Sequence, residues 1–556
     1  MLEPTRKAAP VAGAGIDRRE MLKMGAGAAA LTTFGLPSRA AGQGSEWNQG
    51  QLSHLLPTAS HERFLIKTSF VSPLTEPPRL SVIGRSIAGE KTDPQGRFWR
   101  FDARSLQPDT QYELRITDAG GAPLCDAWPL RTFPAPDAAP RRMRIVAYTC
   151  AGGRAGPRFR EKTFFLDMAP RQRLLARALS FTPDALIANG DHIYWDQATL
   201  LNKPFAKYVQ EQIWPSVGGA LDLSLPMLHP RNLPIFLNVC DSQIPALYGT
   251  TLRSTPSFFI VDDHDYFEND EFDAKVATLP PDDYGLVAAE QTQHLYYPEF
   301  LPDQNRPLWL ASGDLARLAP NTNGKFGTIR FGNLLEAVLY DCRRYVNYKG
   351  KHAKIIPQWT EDWLVARTRA EDTAHFFHAP SLPFAYCSGK LGDWYPDLLD
   401  ESTGKMGLAD DKPGWQHGWF SQHQRLIQAI ASQSKRAAVI VEGDMHATAA
   451  GKITRSADIN LTQPVHTILS GTLGTGDVGF PSAYRSVQST PSLVLDMDQA
   501  LKPTEKEWIH VDRCHAGHDD VLDFSLASTA TDRGDRHDVP GTCLRGGAQG
   551  VKRCES

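Results

Sequence analysis

Ala185-Leu-Ile-Ala-Asn-Gly-Asp191-His-Ile-Tyr194 is the stretch whose reading decides the fold. Its continuous apolar run suits a strand buried on both faces, and the Gly-Asp that follows suits the turn leaving that strand's carboxyl end. The same grammar recurs along the chain. Ile145-Val-Ala-Tyr-Thr runs into Cys150, Phe258-Phe-Ile-Val into Asp262-Asp-His-Asp265, and Ala437-Ala-Val-Ile-Val-Glu-Gly into Asp444-Met-His446. Leu335 to Leu339 and Val465 to Leu469 are further runs of this kind. Between them, Glu161 to Ser180 and Ser421 to Lys435 pattern as helices. The second opens on Ser421-Gln-His-Gln424, a capping box, and carries Leu426, Ile427 and Ile430 on one face. Residues 141–503 are therefore expected to form an α/β (α+β, layered) domain with helices flanking the sheets.

Upstream the character differs. Phe64 to Phe70, Arg79 to Gly84, Gly96 to Phe101 and Gln111 to Ile116 alternate apolar and polar residues between Pro and Gly breaks, as the strands of a sandwich do. Leu106-Gln-Pro-Asp-Thr-Gln-Tyr112 resembles the turn and tyrosine before a late strand in fibronectin type III domains. An all-β, fibronectin III-like domain is expected over residues 46–134. Pro134-Ala-Pro-Asp-Ala-Ala-Pro140 forms the link to the larger domain. Residues 504–556 turn polar and rich in Gly and Asp, and read as an irregular or partly disordered tail.

At 556 residues the chain exceeds one ordinary core, and 41% hydrophobic with 22% charged residues is the balance of a packed soluble protein. Asp17-Arg-Arg-Glu-Met-Leu-Lys23, a short weakly apolar run to Leu36, and Ser38-Arg-Ala-Ala41 occur in the order of a twin-arginine export signal over residues 1–41. That route carries folded proteins, which suits an enzyme whose metals are inserted before crossing. A periplasmic or secreted protein delivered by the twin-arginine machinery is the expectation. The apolar run is too short to span a membrane, and no other candidate span is visible. Residues 1–41 hold six basic and three acidic side chains, so without them the formal charge falls from −4 to −7, which argues against a stable nucleic-acid partner. All eight cysteines lie beyond residue 41, with Cys543 and Cys554 the simplest disulfide to draw.

The strand ends carry the chemistry. Ligands of open α/β sheets bind where the loops at the carboxyl ends of strands converge. Four such ends would bring carboxylate, imidazole and thiolate to one place. A pair of metal ions needs a bridging carboxylate within a set of hard ligands, and this inventory supplies both. No Gly-x-Ser-x-Gly elbow and no His-Glu-x-x-His helix occurs, which removes serine esterase and zinc protease chemistry.

Cys150, Gly190-Asp-His-Ile-Tyr194, Asp262-Asp-His-Asp-Tyr-Phe-Glu-Asn269, Tyr340-Asp-Cys-Arg-Arg-Tyr345, Trp415-Gln-His-Gly-Trp-Phe-Ser-Gln-His-Gln-Arg425 and Gly443-Asp-Met-His446 follow one another over some 300 residues. In this set and order the sequence resembles the PhoD-like alkaline phosphatases and phosphodiesterases, a branch of the calcineurin-like metallophosphatases. The resemblance implies a metallophosphatase β-sandwich core. It also implies a ferric ion held by Cys150, Tyr194, Asp191 and His446, with calcium as companion on Asp191, Asn269 and Asp444. Manganese or zinc are the alternatives that a carboxylate and histidine set admits. A phenol with a pKa near 10 loses its proton most readily to a strongly Lewis-acidic ion, and hard oxygens suit calcium. A charge-transfer colour would follow.

The wider superfamily begins with Asp-x-His and has Gly-Asn-His in the middle. Cys150 and Asp262-Asp-His-Asp265 stand in those places here, which leaves open whether Asp262 or Asp263 faces the metal; Asp263 is the choice made. Hydrolysis of phosphoesters, small or polymeric, by a metal-activated hydroxide is the expected reaction. His264 either protonates the leaving alkoxide or orients a neighbouring carboxylate. Arg343 either binds phosphate or pairs with the acidic loops, and His417 with Trp415 either walls the pocket or packs. The Gly-rich run Ser470 to Asp477 lacks the Lys-Ser or Lys-Thr of a phosphate loop and reads as flexible. Two other readings stay in view: a phosphodiesterase directed at phospholipids or teichoic acids, and a non-catalytic calcium-binding surface protein of the same fold.

Overall fold

The computed structural model describes residues 47–154, 158–159, 162–163, 165–195, 207, 209–267, 280–310, 317–347, 352–387, 399–400, 405–406, 417–446, 448–456, 459–474, 488–489, 509–517, 522–524, 541–543 and 552–553. The expected export signal, Asn269, Trp415 and the side chains of His417, Cys543 and Cys554 lie outside the described residues.

The chain opens with eight antiparallel strands: β1 (Leu52–Ala59), β2 (Arg63–Phe70), β3 (Arg79–Val82), β4 (Arg85–Ala88), β5 (Glu90–Lys91), β6 (Phe98–Arg104), β7 (Gln111–Thr117) and β8 (Trp128–Arg131). They form two four-stranded sheets, ordered β1-β2-β6-β5 and β4-β3-β7-β8. Alternation is clean in β7, where Tyr112, Leu114 and Ile116 are buried and their neighbours face solvent. The expected tyrosine turn forms, with the Gln107 N–H donating to the Tyr112 hydroxyl at 2.6 Å. By contrast β2 is buried along its whole length. Its polar side chains are therefore paired: Lys67 Nζ donates to the His294 carbonyl at 2.7 Å and to Glu299 Oε1 at 2.9 Å.

The larger region is α/β, as expected. β9 (Ile145–Thr149), β10 (Ala185–Asn189) and β11 (Ser257–Ile260) make a three-stranded parallel sheet ordered β11-β10-β9. A second sheet contains β12 (Phe326–Phe331), β13 (Leu335–Tyr340), β14 (His375–Pro380), β15 (Ala438–Glu442), β16 (Thr448–Ser456), β17 (Ile459–Leu469) and β18 (Ile509–Gly517). Its order is β12-β13-β14-β15-β17-β16-β18, parallel from β13 through β17 and antiparallel elsewhere. Helices α1 (Met168–Leu179), α2 (Leu233–Asp241) and α3 (Asp283–Tyr296) accompany the first sheet, and α4 (Gln358–Ala370) and α5 (His417–Ala431) the second. Burial explains the apolar runs. Every residue of β10, β11 and β13 is buried, and each Leu or Ile contributes about 1.5–3 kcal/mol relative to exposure.

Three local expectations change. Helix α5 begins at His417, so Ser421 lies inside it and caps nothing. Tertiary contacts extend the helix: Trp419 is buried with its indole N–H donating to the Asn347 carbonyl, and the Gln422 side chain bonds Ile355, Ile356 and Glu361. Leu426, Ile427 and Ile430 do line its buried face. Helix α1 starts only at Met168, after a short ladder of Arg158–Phe159 with Lys162–Thr163. The stretch read as an irregular tail supplies β18, which pairs with β16 along its length.

His54 is fully buried, with Nδ1 2.5 Å from Ser69 Oγ and Nε2 3.0 Å from the Tyr296 carbonyl. A carbonyl only accepts, so Nε2 carries the hydrogen. Burial, the largest influence, lowers its pKa from 6.5 to about 3, which keeps the ring neutral near pH 7. The stability it gives is present above the unfolded value of 6.5 and is lost as pH falls toward 3. Relative to His54→Gln, the wild-type chain should lose on the order of 2 kcal/mol between pH 7.5 and pH 5, read as converging urea midpoints. A pH-independent gap between the two proteins would refute the neutral assignment.

Candidate metal centre

The parallel strands point their carboxyl ends the same way, and the loops that follow β9, β10, β11 and β15 meet. Backbone geometry at these exits is unusual: Cys150, Asp191, Asp444 and His446 all adopt positive φ, at 48°, 57°, 72° and 49°. Such conformations cost a non-glycine residue about 1–2 kcal/mol each and persist where surrounding contacts fix them. Those contacts are present. Thr149 Oγ1 donates to the Asn189 carbonyl at 2.6 Å and accepts from the Asp444 N–H at 2.9 Å, joining three exits. Arg171 is buried and donates to the carbonyls of Ala151 and Gly152 after β9. The Gln243 side-chain oxygen accepts from the Gly153 N–H at 2.7 Å and the Tyr194 N–H at 3.4 Å.

The Gly-rich segment after β17 is anchored through residue 474, contrary to the expectation of flexibility there. Thr149 N donates to the Gly471 carbonyl, Leu473 N to Thr149, and Gly474 N to Cys150. The Thr472 hydroxyl adds a bond to the Cys150 carbonyl at 2.9 Å. Residues 475–477 lie outside the described residues.

Around Asp191 the donor atoms are close. The Tyr194 hydroxyl lies 3.1 Å from Asp191 Oδ2 and 2.9 Å from His446 Nε2, and Cys150 Sγ lies 3.3 Å from the same carboxylate oxygen. On the other side Asp263 and His264 come within reach. Cys150, Asp191 and His446 form one group with donor atoms within 4.8 Å of one another; Asp191, Asp263 and His264 form a second; Asp262, Asp263 and Asp444 a third. Asp191 belongs to two groups and Asp263 to two, so of the adjacent pair Asp263 is the residue that links Asp191 to Asp444. Asp262 turns instead toward Arg343, whose Nε donates to Asp262 Oδ1 at 2.5 Å while Nη2 donates to Asp444 Oδ2 at 3.0 Å. Arg343 is thus buried among the acidic loops. It is held there by Asp341, which accepts from the Arg343 and Arg344 N–H groups at 2.8 and 2.9 Å. The His264 ring stacks on Tyr194 at 4.0 Å between centroids and is half-buried.

Electrostatics follow from crowding like charges away from water. Burial first, then Asp191 and Asp444, pushes the Cys150 thiol well above its usual range; burial, then Asp191 and Cys150, does the same to the Tyr194 phenol. Burial also raises Asp191 and Asp262, although His264 and Arg343 respectively pull the other way. Asp191 Oδ1 and Asp262 Oδ2 are buried and without a hydrogen-bond partner. Among the described residues Arg343 and His264 are the groups that pull against this acidic crowding at Asp262 and Asp191. Thiolate, phenolate, imidazole and carboxylate on one side suit a transition metal, and carboxylates on the other a hard divalent ion. The residues fit a metal pair.

Sequence reading missed the supports Thr149, Gln243, Arg171 and Asp265. Only Asp265 carried a signal, as the fourth residue of an acidic cluster. His417 is the first residue of α5, and Asn269 lies outside the described residues.

No protein-family model matches the sequence, and no curated protein does either. Among solved structures, that of PhoD is similar over 93% of this chain and 94% of its own, with 14% identity and a TM-score of 0.52. The purple acid phosphatase PPD1 from yellow lupin (Lupinus luteus) seeds is 10% identical, over 86% of this chain and 69% of its own, with a TM-score of 0.45. The first likeness alone defines a shared fold.

Gly443 gives a local test. A Cβ there would stand 2.7 Å from Thr149 Oγ1 and 2.9 Å from the Asn189 carbonyl. Gly443→Ala should force these exits apart, lower stability by about 1–3 kcal/mol and reduce bound metal, measured by thermal melting and elemental analysis. Unchanged metal content in a folded variant would contradict the close approach. Over nearly its whole length the protein shares the fold of PhoD.

Proposed function

We propose that the chain is an exported, metal-dependent phosphoester hydrolase of the alkaline phosphatase D type, acting on phosphodiesters and phosphomonoesters. The observation that carries this reading is the sharing of Asp191 between two ligand groups, as a carboxylate bridging two ions must be. Cys150, Tyr194, Asp191 and His446 would hold ferric iron. Asp191, Asp263, Asn269 and Asp444 would hold calcium, with manganese or zinc as alternative occupants. The fold shared with PhoD supports the reaction class. Such a pair supplies Lewis acidity toward the phosphoryl oxygens and a water acidic enough to attack phosphorus at neutral pH.

The chain's own residues do the rest. His264, the half-buried imidazole stacked on Tyr194, would hand a proton to the departing ester oxygen. Arg343 stays with Asp262 and Asp444, offsetting their charge and fixing their orientation. Anchoring of the β9 and β15 exits by Thr149 keeps thiolate and carboxylate on opposite flanks of Asp191. Substrate contact by Arg343 would require it to leave these partners, so charge compensation is its proposed role, and His417 stays a proposed contact to substrate. Among the described residues no helix is long and apolar enough to cross a membrane. Export by the twin-arginine machinery to the periplasm or beyond rests on Arg18, Arg19 and the residues after them.

The test is hydrolysis of bis- and mono-p-nitrophenyl phosphate by purified protein, with metal analysis and with chelator. Chelation should abolish turnover, and Asp191→Ala should lower it by at least about 10²–10³-fold, the loss of several kcal/mol of charge stabilisation. Cys150→Ala should lose iron and visible absorbance. Metal-replete wild-type protein without turnover on either ester would instead favour the non-catalytic calcium-binding reading.

A further inference from the structure

We infer that Asp265 is a positioning residue that locks the loop carrying Asp191 to the loop carrying Asp262, Asp263 and His264, and thereby sets the spacing of the two halves of the metal centre. The inference rests on the metallophosphatase reading of this site. Its geometry is specific. Asp265 Oδ1 accepts from the N–H groups of His192 and Ile193, both at 2.9 Å, and Oδ2 accepts from those of Asp191 and Asp262, both at 3.0 Å. Three of these amides belong to the turn leaving β10 and the fourth to the exit of β11, so one side chain spans two loops. Asp265 is buried and belongs to none of the three ligand groups, because its oxygens are committed to amides.

A carboxylate here stands beside like charges, an expensive choice for a residue whose only task were packing. What the carboxylate alone offers is two oxygens with about four acceptor positions and no hydrogen of its own. Four convergent N–H groups need that capacity. An asparagine of the same shape has one acceptor oxygen, and its amide nitrogen would turn N–H against N–H at half of the nest. The bonds matter most at Asp191, whose left-handed backbone, φ 57°, is the conformation that turns its carboxylate toward both Cys150 and Asp263. Released from Asp265, Asp191 gains by relaxing to an extended backbone, and the shared carboxylate moves off one of its two groups. Gln243 performs a related task toward Gly153 and Tyr194, so the two supports serve opposite flanks.

The experiment uses the full chain, stripped with chelator and titrated with manganese chloride by calorimetry, together with kcat for bis-p-nitrophenyl phosphate at rising manganese. In Asp265→Asn the manganese dissociation constant should rise about 10–100-fold, with kcat at saturating metal lowered far less than affinity. Asp265→Ser, which removes the opposing N–H donors, should show the same displacement and keeps the result readable where the Asn variant folds poorly. An unchanged dissociation constant overturns the inference. So does a loss confined to kcat, which would mean action on the chemistry, and so does failure of both variants to fold at saturating manganese, which would make Asp265 a general structural residue. Failure of the hydrolase reading itself is distinguishable, because it appears in the wild-type chain as no turnover on either ester.

Discussion

One buried region of the structure gathers several acidic groups, and burial raises the pKa of Cys150, Asp191, Tyr194 and Asp262 there. Asp191, Asp262, Asp263 and Asp444 meet with a thiol and a phenol in one buried region, and Arg343 is the cation set directly among the carboxylates. Burying unpaired carboxylates costs several kcal/mol apiece, together comparable to the margin by which a domain is stable. An arrangement of this kind is kept by pairing with cations, and the ligand atoms crowd where such ions would sit.

The rest of the molecule serves to hold that crowd still. Parallel strands, buried along their whole length in β10 and β11, deliver four exits to one place. Each exit is then fixed by a group that is not itself a ligand: Thr149 for the ends of β9, β10 and β15, Gln243 and Arg171 for the segment after Cys150, Asp341 for Arg343. The positive φ at Cys150, Asp191 and Asp444 persists where such contacts hold the backbone, as Thr149 does at the Asp444 N–H and Asp265 at the Asp191 N–H. The N-terminal sheets join in at one remove. Lys67 and His54 bond the end of α3, and α3 packs beside the turn that carries Asp263 and His264.

Much of this was legible in the sequence, for a physical reason. Strands buried on both faces must be written as unbroken apolar runs, and polar residues at their ends stand out against them. Hence Cys150, Asp191, Asp444 and His446 could be placed together before any coordinates. The choice between Asp262 and Asp263 could not be read from the pattern, because neighbours on a turn diverge by geometry that no pattern encodes: Asp262 bonds Arg343, while Asp263 stands in a group with Asp191 and in another with Asp444. Thr149 and Gln243 gave no signal, since a hydroxyl or amide that bonds a distant backbone looks like any other. The start of α5 was misread because a capping box is a local preference, while Trp419 and Gln422 gain more by being helical and buried. The segment after β17 was misread because glycine was taken as freedom, where the N–H groups of Leu473 and Gly474 bond the carbonyls of Thr149 and Cys150 at the end of β9.

Metal ions would balance the buried carboxylates on either side of Asp191, and a crystal structure of the purified protein with anomalous data at the iron and calcium or manganese wavelengths tests this. Two metal peaks about 3.5–4 Å apart are expected flanking Asp191, one of them bonded to Cys150 and Tyr194. A well-folded protein without metal density between these side chains, its carboxylates paired with one another or with Arg343 alone, would contradict it.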